Sequence, residues 1–207
     1  MGGNHVIVDY GMGNLHSVVS ALRYLGVDPL VSGDPAVVEG ADVLVLPGVG
    51  SFRKAMGKLE TSGLADAMRE AVLAKKRKVI GICLGQQLMA EYGTEEGGAH
   101  GLGFFPGIVD RIPAPASGTL KVPHVGFNKV RFEAESRLFR GFDSPVDCYF
   151  VHSYRLEVQD RPGLSALCDY GGDFVAAYEH EHIFCAQFHP EKSQTNGLRI
   201  LSNFLSV

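Results

Sequence analysis

The sequence predicts an α/β fold in which a doubly wound, mostly parallel sheet is flanked by helices, with an added antiparallel portion in the second half. Three observations support this fold class. Apolar runs of strand length alternate with helix-like segments through the first half of the chain. Those runs are continuous, as in parallel strands that helices cover on both faces. Strand-like segments joined by short turns then fill most of the second half.

The first half supplies the alternating pattern. His5–Tyr10 is apolar and β-branched, and Gly11-Met12-Gly13-Asn14 interrupts it. Apolar residues recur at helical spacing along Leu15–Leu25, so a helix follows the first strand. Further strands are predicted at Leu30–Ser32, Asp42–Leu46 and Val79–Cys83, and further helices at Ser51–Glu60, Leu64–Ala74 and Gln86–Tyr92.

The second half predicts strands separated by short turns that contain Gly, Asp or His. These strands are expected at Gly107–Ile112, Lys129–Phe132, Cys148–Leu156, Ser165–Tyr170, Phe174–Glu179 and Ile183–Phe188, before a last helix from about Asn196 to Leu205. The sequence shows no internal repeat, low-complexity tract or linker. We therefore expect residues 1–207 to form a single domain.

Composition excludes several classes of protein. Apolar residues make up 45% of the chain, and the formal net charge is −4, which gives no general affinity for nucleic acid or anionic lipid. No apolar run reaches the roughly 20 residues that span a bilayer, and the N-terminus lacks the pattern of an export signal. The four cysteines form no C-x-x-C pair. We expect a cytoplasmic protein without metal or cofactor, and the G-x-G at Gly11–Gly13 lacks the third glycine of a dinucleotide-binding loop.

The segment Gly81-Ile82-Cys83-Leu84-Gly85 predicts a reactive cysteine. A buried strand ends at Cys83 and a helix follows, so the chain must turn sharply there, as at the nucleophile elbow of serine hydrolases. Glycines two residues before and after the cysteine permit that turn and leave room for a substrate. Cys83 is therefore the candidate nucleophile, whereas the other three cysteines lie within strand patterns without such a glycine frame.

A thiol nucleophile needs a base, and the base needs a group that fixes its tautomer. His189 follows the last predicted strand in Gln187-Phe188-His189-Pro190-Glu191, and the proline ends the strand. Glu191 lies two residues further on, where its carboxylate can return to the imidazole. His189 and Glu191 are therefore the candidate base and its orienting carboxylate.

These two motifs together resemble those of the class I glutamine amidotransferases. The resemblance implies a doubly wound sheet that carries a Cys-His-Glu triad, and it spans nearly the whole chain. It also implies that Cys83 attacks the side-chain amide of glutamine and that His189 protonates the departing ammonia. A γ-glutamyl thioester would form on Cys83, and water would then release glutamate.

The expected oxyanion hole and substrate contacts lie at the same end of the sheet. The N–H of Leu84 lies at the start of the helix after the nucleophile, and Leu46-Pro47-Gly48-Val49-Gly50 follows the third predicted strand. In the family the matching loop borders the oxyanion hole, so Val49 or Gly50 is the second expected donor. The predicted substrate contacts are Gly48, Gln87, His152, Ser153 and Tyr154.

Three segments narrow the resemblance: Asp9–Leu15, Lys121–Asn128 and His189–Gln194. They are similar to the amidotransferase subunits that supply ammonia to a (β/α)8-barrel cyclase in histidine biosynthesis. That similarity implies a heterodimer whose products include imidazole glycerol phosphate and an aminoimidazole carboxamide ribotide. Because ammonia must not escape, the triad should face the partner. The candidate interface residues are Gly11, Asn14 and Lys192.

Other functions stay open from the sequence alone. One is an amidotransferase subunit for anthranilate or pyridoxal phosphate synthesis, against which K-V-P-H-V-G-F-N and H-P-E-K-S-Q argue. Another is a hydrolase of the same fold that cleaves γ-glutamyl or peptide bonds without a partner. A third is a non-catalytic regulatory protein, which the intact Cys83, His189 and Glu191 disfavour.

Overall fold

The computed structural model describes residues 3–113, 120–159 and 162–207. Met1 and Gly2, which belong to the N-terminal segment for which the sequence predicts no export signal, lie outside the described residues. None of the helices in the described part of the chain combines the length and apolar character that crossing a bilayer requires.

Strands and helices alternate in the first half, and strands dominate the second. The strands are β1 His5–Val8, β2 Leu30–Ser32, β3 Val43–Gly48, β4 Lys78–Cys83, β5 Tyr92–Gly93, β6 Ala99–His100, β7 Ile108–Arg111, β8 His124–Val130, β9 Val146–His152, β10 Tyr154–Leu156, β11 Leu164–Asp169, β12 Asp173–His180 and β13 Ile183–Ala186. The α-helices are α1 Leu15–Tyr24, α2 Pro35–Glu39, α3 Phe52–Thr61, α4 Leu64–Arg69, α5 Leu84–Met89 and α6 Gln194–Ser206.

The main sheet has seven strands in the order β11-β12-β13-β4-β3-β1-β2. The five strands from β13 to β2 are parallel, and β12 and β11 add an antiparallel edge. The predicted fold class, a mostly parallel sheet with an antiparallel portion from the second half, is therefore confirmed. Because β13 pairs with β4, the last strand of the chain lies beside the strand that ends at Cys83.

Two apolar layers cover the sheet. On one face, α2, α3, α4 and α5 bury residues such as Phe52, Met56 and Leu88 against the strands. On the other face, α1 and α6 bury residues such as Leu22 and Phe204. Two smaller sheets complete the fold: β10-β7-β5-β6, and the two-stranded ribbon β8–β9. Continuous apolar strands are thus shielded on both sides, as their composition requires.

The structure differs from the sequence prediction in several elements. The short helix α2 was not predicted; Pro35 begins it, and the Asp34 side chain accepts a hydrogen bond from the N–H of Ala36. The predicted helix Leu64–Ala74 changes to a π-helix over Glu70–Ala74.

Three further boundaries moved. The helix after the nucleophile begins at Leu84 rather than Gln86, directly after the cysteine, and ends at Met89. The strand predicted at Lys129–Phe132 is the ribbon strand β8, which pairs with β9 from His124 to Val130. The single strand predicted over Cys148–Leu156 is broken at Ser153 into β9 and β10, which belong to different sheets.

Candidate active site

The carboxyl ends of β3, β4 and β13 meet at one edge of the main sheet. Gly48 is the register partner of Cys83, and Ala186 is the partner of Ile82. Chain segments that leave these strands therefore emerge side by side. Parallel pairing thus brings Cys83 and the segment that carries His189 to the same place, although 106 positions separate them in the sequence.

Cys83 occupies a strained elbow between β4 and α5. Its φ of 56° and ψ of −111° are rare for a residue with a side chain, and such a conformation costs about 1–3 kcal/mol. The flanking glycines allow it: a Cβ at Gly85 would collide with the Leu46 carbonyl, and one at Gly81 would lie 2.7 Å from the Gly85 carbonyl carbon. Only hydrogen fits at these two positions, so the backbone can turn tightly and present the thiol.

His189 and Glu191 form a buried pair. His189 Nδ1 lies 2.8 Å from Glu191 Oε1, and the two side chains are 3% and 1% exposed. A carboxylate can only accept, so Nδ1 carries the hydrogen and Nε2 points to the opposite side of the ring. Within the described residues, Nε2 makes no hydrogen bond of normal geometry, but the Cys83 thiol is near enough to raise the pKa of the ring, and Cys83 and His189 line the same cavity.

The charges around His189 favour its protonated form. Burial lowers the pKa of the imidazole, but the neighbouring Cys83 and the Glu191 carboxylate outweigh burial and raise the pKa to about 9. Negative charge on the sulfur and on the carboxylate therefore stabilises an imidazolium between them. The arrangement is suited to a thiolate–imidazolium pair, in which the nucleophile is ionised and the histidine holds a proton for a leaving group.

Strand β9 fixes both partners through its backbone. The N–H of His189 donates to the carbonyl of Tyr149 at 2.9 Å, and the Cys83 thiol lies 3.9 Å from the carbonyl of Val151. Ser193 Oγ donates to the carbonyl of His189 at 2.7 Å and accepts from the N–H of Tyr149 at 2.9 Å. Backbone groups of β9, in the β8–β9 ribbon, therefore help to position Cys83 and His189.

A cavity of about 330 Å³ opens above the elbow. Nine of the predicted site residues line it: Val49, Gly50, Cys83, Leu84, Gln87, His152, Ser153, Tyr154 and His189. Among the predicted catalytic, oxyanion and substrate residues, two are not part of its lining. Glu191 lies behind the imidazole, and Gly48 lies beneath the loop, where a Cβ would meet the Tyr10 hydroxyl and the Leu84 side chain. The volume fits a small amino acid rather than a polymer.

The predicted oxyanion residues Val49, Gly50 and Leu84 line the same cavity as Cys83. Leu84 is the first residue of α5, so no helical carbonyl accepts its N–H. Gly50, with a φ of +111°, adopts a conformation that a residue with a side chain rarely takes. Tyr10 anchors this loop, because its hydroxyl donates to the Pro47 carbonyl at 3.1 Å; burial, and then the nearby Cys83, raise the pKa of Tyr10.

The imidazole ring of His152 is held by contacts within the protein. Its Nδ1 lies 2.8 Å from the Tyr154 carbonyl, and its Nε2 lies 3.0 Å from His124 Nδ1. Burial lowers the pKa of His152 to about 3, so the ring is neutral. Since the carbonyl can only accept, Nδ1 carries the hydrogen. Both ring nitrogens of His152 are therefore engaged inside the protein.

Sequence reasoning missed Glu95. This residue begins the 3-10 turn Glu95–Gly97 after β5 and lines the cavity, where its Oε2 accepts a 2.7 Å hydrogen bond from the N–H of Phe52. It places a carboxylate in the wall of the cavity. Nothing in the surrounding Thr-Glu-Glu-Gly indicates this role, because it depends on how the turn packs against the start of α3.

An exposed apolar strip lies beside the cavity mouth and was also missed. Val125 and Phe127 on β8 are 57% and 51% exposed, and Val125 pairs across the ribbon with Val151, which lines the cavity. Opposite these side chains, the alternate residues of β9 are buried, as are His124 and Val130 at the two ends of β8. A strip of this kind on a protein surface is typical of a site for a protein partner.

The predicted interface residues are exposed but lie outside the cavity lining. Gly11 and Asn14 lie in the loop between β1 and α1, and Lys192 ends the 3-10 turn that carries Glu191. Asn14 donates to Ser17 Oγ at 2.9 Å.

The described residues contain no group of three or more His, Cys, Asp or Glu side chains that could hold a metal ion. All four cysteines are buried, and none of them forms a disulfide. Burial, with the neighbouring Cys168, raises the pKa of the Cys148 thiol, and burial raises that of Cys168 to about 12. These two thiols are therefore poor nucleophiles, in contrast to Cys83 in its cavity.

Comparison with known proteins identifies the family. A family model described as glutamine amidotransferase class-I matches residues 6–207. The chain belongs to the class I glutamine amidotransferases. The amidotransferase is also similar over its length to curated relatives in bacteria and archaea.

Two of these relatives are named as the same kind of subunit. The amidotransferase is 43% identical over 201 residues to the imidazole glycerol phosphate synthase subunit HisH 1 of Campylobacter jejuni strain RM1221, and the match covers 97% of this chain and 98% of that protein. It is 45% identical over 202 residues to the HisH subunit of Syntrophotalea carbinolica, covering 96% and 98%.

A solved structure shares the fold. A chain in the structure of PurLQS from Thermotoga maritima aligns with a TM-score of 0.73 at 15% identity, covering 100% of this chain and 99% of that one. At this level of identity the likeness concerns the fold of the amidotransferase, and the site must be argued from its own residues.

Proposed function

We propose that this amidotransferase is the glutaminase subunit of imidazole glycerol phosphate synthase. It hydrolyses glutamine to glutamate and ammonia and passes the ammonia to a cyclase subunit, which makes imidazole glycerol phosphate and aminoimidazole carboxamide ribotide in histidine biosynthesis. The observation that carries the proposal is that Cys83 and His189, whose imidazole is paired with the buried Glu191, line one cavity in a chain that is 43% identical to a HisH subunit over nearly its full length.

The geometry supports a two-step hydrolysis. The Cys83 thiolate attacks the side-chain carbonyl carbon of glutamine, and the oxyanion accepts hydrogen bonds from the N–H of Leu84 and of Val49 or Gly50. The protonated His189 gives its Nε2 proton to the leaving nitrogen, so ammonia departs and a γ-glutamyl thioester remains. Neutral His189 then takes a proton from water, whose oxygen attacks the thioester, and glutamate leaves as the thiolate re-forms.

The cavity wall supplies partners for the charged end of glutamine. Glu95 is a carboxylate in the lining and suits the α-ammonium group. Gln87 Nε2 already donates to the Tyr154 carbonyl and to Gln187, which leaves Gln87 Oε1 as a further acceptor for that group. The backbone N–H groups of Ser153 and Tyr154, where β9 breaks, suit the α-carboxylate. Free glutamine is thereby preferred over a glutamine within a peptide.

A (β/α)8-barrel cyclase is the proposed partner, in a heterodimer that covers the cavity mouth. The exposed Val125 and Phe127 beside that mouth support this location, and Gly11, Asn14 and Lys192 are proposed to extend the contact. We treat residues 1–207 as one amidotransferase domain, since the family model covers 6–207. Four cysteines that form no disulfide fit a reducing cytoplasm.

The test is release of glutamate from glutamine by the full chain, alone and with a cyclase subunit that carries its ligand. Cys83→Ala should abolish release, whereas Cys168→Ala, which removes a buried thiol outside the cavity, should retain it. The isolated chain should be only weakly active. Normal turnover by Cys83→Ala would overturn the assignment of Cys83 as the nucleophile. Equal rates of glutamate release with and without the cyclase would overturn the proposal that the two subunits are coupled.

A further inference from the structure

A chain of buried hydrogen bonds ends on the sulfur of Cys83. Gln87 Nε2 donates to the Tyr154 carbonyl at 2.9 Å and to Gln187 Oε1 at 2.9 Å. Gln187 Nε2 in turn donates to Cys83 Sγ at 3.7 Å. Gln187 is the residue that follows β13, opposite the end of β4, and it is fully buried.

The donors and acceptors in this row of hydrogen bonds can be assigned because it includes a backbone carbonyl, which can only accept. The Tyr154 carbonyl can only accept, so the side chain of Gln87 must present its NH₂ group there. The second hydrogen of that NH₂ group requires an acceptor, so Gln187 turns its oxygen toward Gln87. The NH₂ group of Gln187 is then left facing the sulfur. The Tyr154 carbonyl thus orients the side-chain amides of Gln87 and Gln187, so that the NH₂ group of Gln187 donates to Cys83.

This donor discriminates between the two protonation states of Cys83. As a neutral thiol, Cys83 can donate to the Val151 carbonyl, which lies 3.9 Å away. As a thiolate, Cys83 has no hydrogen to donate. The Gln187 N–H then donates to a charged sulfur, and a hydrogen bond to a charged acceptor is stronger than one to a neutral group. Because Gln187 is fully buried, water does not compete for that hydrogen.

We infer that Gln187 is a further catalytic residue, whose side-chain amide donates to Cys83 and stabilises the thiolate of the proposed glutaminase. The inference rests on the function proposed for Cys83 but adds a group outside the Cys-His-Glu set. A purely packing role would not require an amide, since a buried amide costs free energy unless its polar atoms are satisfied. Here both atoms of the Gln187 amide are used, and one is used on the reacting sulfur.

The experiment follows alkylation of Cys83 by iodoacetamide as a function of pH, in the full chain without glutamine. Gln187→Met keeps the size of the side chain and removes the donor, so the midpoint of alkylation should rise by about one pH unit, a tenfold loss of thiolate below the midpoint. Gln187→Glu replaces the donor with a charged acceptor and should raise the midpoint at least as far. Glutamate release should fall with the thiolate fraction.

The matched control is Gln86→Met. Gln86 is also fully buried and precedes Gln87 on α5, but its Nε2 donates to the Val175 carbonyl at 3.0 Å, away from the sulfur. Its alkylation midpoint should match that of the wild type. If neither Gln187 variant folds, the wild-type protein provides the test. The NMR resonances of the Gln187 side-chain amide should change with pH around the alkylation midpoint of Cys83, and Cys83→Ala should remove that change.

Two outcomes separate this inference from the proposed function. The role of Gln187 is overturned if both Gln187 variants keep the wild-type alkylation midpoint, or if the amide resonances of Gln187 do not change as the thiol titrates. If Cys83→Ala is inactive in the same experiments, the proposed glutaminase activity is still supported. A Cys83→Ala variant that still releases glutamate overturns the glutaminase itself, whatever the midpoints show.

Discussion

At the scale of single residues, His189 illustrates how neighbours reverse the effect of burial. A buried imidazole ordinarily loses its proton, since a low-dielectric environment disfavours the charged form. Beside Cys83 and Glu191 the pKa of His189 instead rises to about 9. The histidine therefore carries at neutral pH the proton that departing ammonia requires, and its titration belongs to the thiol–imidazole pair as a unit.

The first prediction concerns pH. A histidine whose pKa is raised to about 9 stays protonated below that pH and loses its proton above it, so kcat/KM for glutamine should fall as the pH rises through about 9. Initial rates of glutamate release across neutral and alkaline pH test this. Samples returned from high to neutral pH should recover full activity, which excludes unfolding as the cause. A decline centred near the ordinary histidine value would contradict the pairing.

Glu95 leads to a second prediction at this scale. Glu95→Gln keeps an oxygen that can accept from the N–H of Phe52 but removes the charge that faces the cavity. The KM for glutamine should rise about tenfold or more with little change in kcat, since the lost contact is made equally in the ground and transition states. The control is Glu96→Gln, because Glu96 is exposed and pairs with Lys54. Equal KM values in both variants would exclude Glu95 from substrate binding.

At the scale of elements, the strand–turn–helix at Cys83 is the part of the site that the sequence predicts best. Its requirements are local: Gly81 and Gly85 flank the nucleophile because any side chain there would strike neighbouring atoms. The His189–Glu191 pair is equally local, since base and carboxylate are two positions apart in the chain. Such short-range geometry can be inferred from residue types and spacing alone.

Other functional contacts could not be predicted, because they depend on pairings between distant segments. Gln87 and Gln187 meet only since β13 lies beside β4, and nothing in either segment specifies that register. Glu95 reaches the cavity because its turn caps the start of α3. The break at Ser153 separates two sheets within a run that is uniformly strand-like in composition.

The elbow supplies a third prediction, which concerns stability. Gly85→Ala forces a methyl group against the Leu46 carbonyl in a tightly packed site, and should destabilise the protein by about 1–3 kcal/mol or more and abolish turnover. Gly57→Ala is the matched control, because α3 has nothing within 4 Å of the added methyl. It should stabilise the protein by about 0.4–1 kcal/mol. Urea unfolding of both variants measures the difference, and equal midpoints would contradict the elbow geometry.

At the scale of the whole molecule, the ribbon β8–β9 connects the site to the surface. Its buried side orients Cys83 and His189 through the carbonyls of Val151 and Tyr149. Its exposed side carries Val125 and Phe127 beside the cavity mouth. A partner that docks on this ribbon would therefore cover the cavity. It would also contact the ribbon whose strand β9 positions Cys83 and His189. Burial of this strip offers one physical route from partner binding to activity.

The last prediction tests that route. Phe127→Asp places a charge in the exposed strip without touching the cavity, so the isolated chain should fold and retain its basal glutamate release. Its affinity for a barrel cyclase subunit should fall at least tenfold, because a desolvated carboxylate without a partner is costly at an apolar interface. Leu30→Asp is the control: Leu30 is 49% exposed, close to the 51% of Phe127, but lies on the edge strand β2. Titration calorimetry measures both variants, and similar losses of affinity, or none in Phe127→Asp, would place the partner on a different face.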